Sequence, residues 1–368
     1  MKRIVLCILA VMMLIFAFGC QKKEAEPEPT ATPEQTPEQT PQTTQEVIPE
    51  HVSDTTGMEV DEDYTYNPIA VMIENADGAR PQTGLNQADI VYEALAESNI
   101  TRFICLYNDE YPAVVGPVRS TRLYYINIAR EWDAALTHIG GPSDASHTAS
   151  YVYGSNSNDI KVRVDGMKGN VSKYFWRSSD RKAPHNAYTN VQKIKDDLVD
   201  YTPDERTAWK FELSKEAGKN LYSDYESFEK VSLPFISKDN FVSYQYDAAT
   251  NKLYRYMSGN EFLTTTVTQN DDGTQKYETE QVCVQNLIVQ YANTYELSGD
   301  TKGRRGIDLV GEGDAEFFIN GKHITGTWKR TSQNDSTVYY DDKGEQIVLL
   351  PGNTWVEVHP LAKKAIVE

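Results

Sequence analysis

Asp89-Ile-Val-Tyr-Glu-Ala-Leu-Ala-Glu97, Ser98-Asn99 and Ile100-Thr-Arg-Phe-Ile-Cys-Leu-Tyr107 form the stretch from which the fold of this chain is read. Two strand-like runs flank a two-residue polar turn, which is the pattern of a β-hairpin. A helix over 89–97 is the competing reading. With Ser98-Asn99 as the turn, Leu95 faces Arg102 and Glu93 faces Ile104. Residues spaced by two share a face, so Glu93 and Glu97 are expected to flank Arg102. Such a group can act as acid and base, or it can neutralise itself. Upstream, Asn67-Pro-Ile-Ala-Val-Met-Ile-Glu-Asn75 is a short apolar run between Pro68 and the turn-rich Ala76-Asp77-Gly78, and it reads as a buried strand.

Working outward, Gly116-Pro-Val-Arg-Ser-Thr-Arg122 leads into Leu-Tyr-Tyr-Ile-Asn-Ile-Ala-Arg-Glu-Trp132, a helix that Ser120 or a neighbour can cap. Arg119 and Arg122 are three apart and would project from one side of its first turn. Arginines beside the positive end of a helix dipole suit an anion, whether a ligand or an internal carboxylate from Glu93, Glu97 or Asp133. Next comes a strand, Ala134-Ala-Leu-Thr-His-Ile139, ending in Gly140-Gly141-Pro142-Ser143-Asp144. His138 can point into the same cleft or be a satisfied core histidine. The aperiodic stretch Tyr174 to Asn186 concentrates aromatic, guanidinium and imidazole groups, with Arg177, Arg181 and His185, and reads as a functional loop. Thr189 can then cap a helix running to about Asp200.

The C-terminal part reads as a series of short strands. Asp247-Ala-Ala-Thr-Asn-Lys252 turns one hairpin, Asn320-Gly321 a second and Lys343-Gly344 a third. The expected fold class is therefore α+β, an N-terminal α/β domain with a mixed sheet followed by a mostly antiparallel β domain. Trp328 and Trp355 are expected in its core.

At the N-terminus, Lys2 and Arg3 precede an apolar run from Ile4 to Phe18 that closes at Gly19-Cys20. This is the form of an export signal, and the run is too short for a span of roughly 20 residues. Ala17-Phe18-Gly19-Cys20 is similar to a lipobox, which makes Cys20 the expected lipidation site. From Gln21 to about Glu59 the chain is Pro-, Thr-, Glu- and Gln-rich, with Pro-Glu-Gln-Thr repeated at 33 and 37, as in a disordered stalk. The expected layout is a signal peptide over 1–19, a stalk over 20–60, an α/β domain over 61–205, a connector over 206–235 and a β-rich domain over 236–368. The 36 basic and 54 acidic residues leave a net charge of −18. That balance argues against nucleic acid and against a polybasic grip on lipid. Cys105 and Cys283 sit far apart in strand-like runs and read as free thiols. Neither a zinc spacing nor a cofactor fingerprint occurs, so no metal and no cofactor is expected.

Ala79-Arg-Pro-Gln-Thr-Gly-Leu-Asn-Gln-Ala-Asp-Ile-Val-Tyr-Glu93, Ile100-Thr-Arg-Phe103, Gly116 to Arg122 and Ala183-Pro-His-Asn186 resemble conserved segments of the bacterial YerB-like lipoproteins, a family described as a domain of unknown function. The resemblance extends through Asn286 to Gln290, Ile307 to Gly311, Gly326 to Trp328 and Pro351 to Val358. One departure is Gly141-Pro142-Ser143, where the family is closer to Gly-Ser-Pro, which weakens any role for Ser143 as a nucleophile. The resemblance implies a lipid-anchored head on the extracytoplasmic face of the cell membrane in two parts, with no established reaction. The residues themselves lead to three expectations for that head. The first is a binding module for an anionic envelope ligand, using Arg102, Arg119, Arg122, His138, Arg177, Arg181 and His185. The second is a wall-acting hydrolase or transferase built on Glu93 and Glu97 or on His185. The third is a scaffold for other envelope proteins.

Overall fold

A computed structural model describes residues 46–145, 149–157, 159–204, 209–237, 240–270 and 272–368. The expected signal peptide, Cys20 and most of the expected stalk lie outside these residues. The hairpin is present as strands Ile90–Glu97 and Ile100–Tyr107, with Ser98 at φ 46° in the turn. It lies inside an 11-stranded mixed sheet. Ile69–Glu74 pairs antiparallel with Ile100–Tyr107 and parallel with Ala135–His138. On the other side of the hairpin, Ile90–Glu97 pairs in parallel with Thr354–Pro360, which is itself parallel to Asn286–Ala292.

That pairing makes one large sheet of strands from both segments, and residues Glu46–Glu368 form one compact unit. Parallel pairing between strands about 260 positions apart leaves no local signal, because no turn connects them. The fold class is as expected: α+β, with a mixed sheet in the N-terminal segment and antiparallel pairing dominating the C-terminal one. Antiparallel strands Lys230–Ser237, Asn240–Asp247 and Lys252–Met257 build a smaller sheet.

Alternation along the central strands assigns the two faces. Val91, Leu95, Phe103, Cys105 and Trp355 pack toward the smaller sheet in a cluster with Leu233, Tyr244 and Leu253. Tyr92, Ala94, Ile104, Leu106 and Val356 pack toward the helix Leu123–Glu131, against Tyr124, Tyr125 and Ile128. Burial on both faces accounts for the nearly unbroken apolar runs that made the helix reading of 89–97 competitive. Trp328 and Trp355 are buried, as expected. Cys105 and Cys283 are free thiols, the first buried and the second half-buried. The Asn320-Gly321 turn takes positive φ at both residues, 56° and 70°, and joins Gly311–Ile319 to Lys322–Arg330.

Two local details differ from expectation. The Leu123–Glu131 helix is preceded by Arg122 in extended conformation, with no side-chain cap from Ser120. The next helix, Val191–Leu198, is capped by Asn190 rather than Thr189, through its bond to the Lys193 amide.

The folded body also begins earlier than residue 61. Ser53 and Thr56 donate to the Asp109 carboxylate at 2.6 and 2.5 Å, and Thr55 donates to Asp89 at 2.7 Å. Low apolar content marked this stretch as stalk, but it is held by hydroxyl-to-carboxylate bonds, which composition does not register. Among the described residues no helix is long and apolar enough to cross a membrane.

Candidate functional site

One residue sorts the expected acidic and basic side chains onto two faces of the sheet. Glu97 pairs with Ile100 and Leu95 with Thr101, which leaves Ala96 as an extra residue in a β-bulge. The register beyond it is shifted by one from the expected one: Arg102 lies opposite Ala94, and Glu93 opposite Phe103. The bulge turns Glu97 onto the helix face with Arg102, while Glu93 stays on the face of the smaller sheet. Glu93 and Glu97 therefore do not share a site.

On the helix face, Arg102 Nη2 lies 2.6 Å from Glu97 Oε2, and Arg122 meets the other oxygen of the same carboxylate. Glu74, directly opposite Arg102 in the sheet, is buried and meets two partners, one by ion pairing and one by a hydrogen bond. Arg119 Nε approaches its Oε1 at 3.1 Å, and His185 Nδ1 its Oε2 at 3.0 Å. The His185 ring lies close over Gly78, where a Cβ would meet it at 3.0 Å. Arg119 and Arg122 diverge because residues 119–122 are extended rather than helical, so a spacing of three does not align them.

Three guanidiniums thus face two carboxylates, with an imidazole at the rim. Arg119 and His185 are the exposed members, at 30% and 32% of their side chains. Among the described residues neither Nη group of Arg119 nor Nε2 of His185 has a hydrogen-bond partner.

The other expected site residues lie in separate contacts. Arg181 is bound to main-chain carbonyls, reaching Ala79 and, at 2.6 Å, Pro81. Arg177 bonds Asn186 at 2.8 Å. His138 is fully buried, with Nδ1 2.8 Å from the Gly140 carbonyl and Nε2 accepting from Arg163 Nε at 2.8 Å. Burial, and then the Arg163 charge, push its pKa down to about 4. Asp133, offered as an internal partner for the arginines, instead binds Lys161 at 2.6 Å.

On the opposite face, Glu93 meets a cation from the C-terminal segment. Arg255 Nη2 lies 2.7 Å from Glu93 Oε2, and its Nη1 lies 2.9 Å from Glu357 Oε1. Glu93 and Glu357 are register partners in the parallel pair, and all three side chains are fully buried. Burial, and then the facing Glu93, raise the Glu357 carboxyl well above its usual range, and both carboxyls meet the one guanidinium. Tyr244 donates to Glu357, Asn75 donates to Glu93 at 3.1 Å, and Thr101 donates to the same Glu93 oxygen. A pocket of about 360 Å³ opens beside this group, between Asn75, Arg80 and Thr101 on one wall and Phe235, Val242 and Met257 on the other.

Glu74, Arg255 and Glu357 were not singled out from the sequence. The signal for two of them was phase: Arg255 is two residues from buried Leu253, and Glu357 two from buried Trp355, so both point inward. Among the described residues no group of three or more His, Cys, Asp or Glu side chains is placed to hold a metal ion.

Similarity to known proteins divides along the same two segments. The family model described as "Protein of unknown function (DUF3048) N-terminal domain" matches residues 55–204, and its C-terminal counterpart matches residues 231–356. The curated protein "Putative lipoprotein YerB" of Bacillus subtilis (strain 168) is 30% identical over 366 residues, covering 96% of this chain and 95% of that protein. The crystal structure of YerB protein from Bacillus subtilis is similar with a TM-score of 0.67 and 28% identity, covering 86% of this chain and all of that one.

Proposed function

Since the chain belongs to the DUF3048 family, we propose that it is a lipid-anchored protein of the extracytoplasmic membrane face that binds an anionic envelope ligand at Arg119 and His185. The observation that carries this reading is the unused donor set at the rim of the helix-face cluster. Glu74 holds Arg119 by Nε and His185 by Nδ1, so the Nη groups and Nε2 are left for an incoming carboxylate or phosphate. An anion there would offset three guanidiniums set against two carboxylates, in a chain whose overall charge is −18. Arg119 can meet it with the bidentate fork that lysine lacks.

A thermal-shift screen of phosphate, sulfate, citrate and soluble muropeptides tests the reading. A ligand at about 100 times its dissociation constant adds roughly 2.7 kcal/mol, a rise of about 4 °C for a body of this size. Arg119→Gln and His185→Asn should each abolish the shift, Arg119→Lys should keep part of it, and Arg177→Gln, whose contact is with Asn186, should leave it unchanged. No stabiliser, or a shift that survives Arg119→Gln, would return the cluster to a structural role.

The same geometry favours one second reading, an imidazole base oriented by a carboxylate, as in acid–base enzymes. Turnover of a wall substrate that His185→Asn removes without loss of binding would select it.

Anchoring is tested separately. The relative's name as a lipoprotein and the Ala17-Phe18-Gly19-Cys20 segment support lipidation at Cys20. Cys20→Ala should leave the protein unlabelled by a fatty-acid analogue, and undiminished label would refute that assignment.

A further inference from the structure

Far from Arg119 in sequence, two β-hairpins face each other across an open groove of about 500 Å³. One is Phe175–Arg177 with Ala187–Thr189, in which Trp176 and Tyr188 are cross-strand partners. The other is Leu263–Gln269 with Gln275–Gln281, in which Val267 lies opposite Tyr277. Val267 is only 3% exposed and packs with Val114 and Tyr188, which fixes which face of the second hairpin looks into the groove. Cross-strand partners share a face, so Tyr277 stands on that side too, as do Thr265 and Gln275 by alternation.

Unlike Val267 and Tyr188, one aromatic ring on each wall is not packed away. Trp176 is 40% exposed and Tyr277 62%. Trp176 lies stacked on Tyr188, with ring centroids 6.2 Å apart and planes 24° from parallel, so its other side is open. Hydrogen-bonding amides line the same groove. Asn190 uses its Oδ1 to cap a helix, and Gln275 uses its Oε1 to accept from Tyr277, which leaves both side-chain NH2 groups without partners among the described residues.

We propose that this groove binds a neutral pyranose chain. The axial C–H faces of a pyranose ring are apolar and its rim is a band of hydroxyls. Aromatic faces on the two walls, with amide and hydroxyl groups in the same lining, suit that mixture. The groove's one guanidinium, Arg181, is already bound to main-chain carbonyls, so the site offers no free cation to demand a charged ligand. A proline-rich peptide, the other common partner of aromatic grooves, offers carbonyl acceptors to the two free amides but no proline N–H, whereas pyranose hydroxyls can also donate to the Asp180 carboxylate in the groove lining. The site is independent of the Arg119 cluster and stands whether or not an anion binds there.

Trp176 is a built-in reporter, because Trp132, Trp328 and Trp355 are buried and Trp209 is half-buried. Titrating the full-length protein with chitotetraose should shift its emission to the blue and protect it from acrylamide quenching. Tyr277→Ala, which keeps the reporter, should weaken the response at least tenfold. Calorimetry on Trp176→Ala should show an equal or larger loss with an unchanged melting temperature. No response at millimolar chitotetraose, an unaltered affinity in Tyr277→Ala, or a response to decaproline instead would each overturn the proposal.

Discussion

Arg255→Met is expected to destabilise the folded body by about 3–5 kcal/mol, read by chemical denaturation at neutral pH. The guanidinium is fully buried between Glu93 and Glu357. It also lies 4.7 Å from the Phe262 ring centre and 4.9 Å from that of Trp355. Methionine fills much of the volume but leaves two carboxyls in an apolar seam without their cation. Glu357, which burial and the facing Glu93 already hold well above the ordinary carboxylate range, can then remain only as the neutral acid.

A raised carboxyl pKa means that the folded state binds more protons than the unfolded one, so stability is lost as pH rises above about 4.5. The variant should accordingly recover stability as the pH is lowered from 8 to 5. Adding Glu93→Gln and Glu357→Gln should restore much of the loss at pH 7, since removing a whole buried ionic group is far milder than removing one partner. A loss below about 1 kcal/mol, or one independent of pH, would mean that Arg255 is not the counterion of this pair.

The second large effect is acid lability through His138. Its Nε2 accepts a hydrogen bond from Arg163, which only the unprotonated imidazole can do. A folded pKa of about 4 against 6.5 unfolded means that the unfolded state binds the extra proton between those values. Stability from this group is therefore complete above pH 6.5 and lost as pH falls toward 4, by roughly 3 kcal/mol. Burial lowers His359 to about 4 as well, and it contributes in the same window. Thermal melts from pH 7 to 4 should fall steeply for the wild type and less steeply for His138→Gln, whose amide oxygen can still accept from Arg163. An unchanged slope in that variant would show that His138 is not protonated on unfolding in this range.

How far the candidate site could be read from the sequence depends on where each partner lies. Turn chemistry and alternation were enough for the Ile90–Tyr107 hairpin and the Asn320-Gly321 hairpin. They were also enough to place Glu97 near Arg102, although for the wrong reason. The expected register had both glutamates flank the arginine, whereas a bulge at Ala96 brings Glu97 to Arg102 and takes Glu93 away. A single extra residue in a strand reverses the face of every later position, and alanine carries no mark of it. One anion-binding group of Arg102, Arg119, Arg122, His138, Arg177, Arg181 and His185, with Arg119 and Arg122 at a helix start, was the expectation. That Arg177 and Arg181 would be spent on Asn186 and on main-chain carbonyls was not.

The part determined by the sequence alone is local: where the chain turns, which residues alternate inward, the acidic balance of −18 and the lipobox-like Cys20 segment. These features stem from backbone sterics and from charge, which act between neighbours or over the whole composition. Only the tertiary structure decided that Thr354–Pro360 lies beside Ile90–Glu97, and with it that Glu357 and Arg255 close on Glu93. Parallel pairing across so long a separation is held by burial on both faces, which many registers could satisfy equally well in apolar terms. The buried charges discriminate among them, because a slip of one residue would leave Arg255 or a carboxylate desolvated and unpaired.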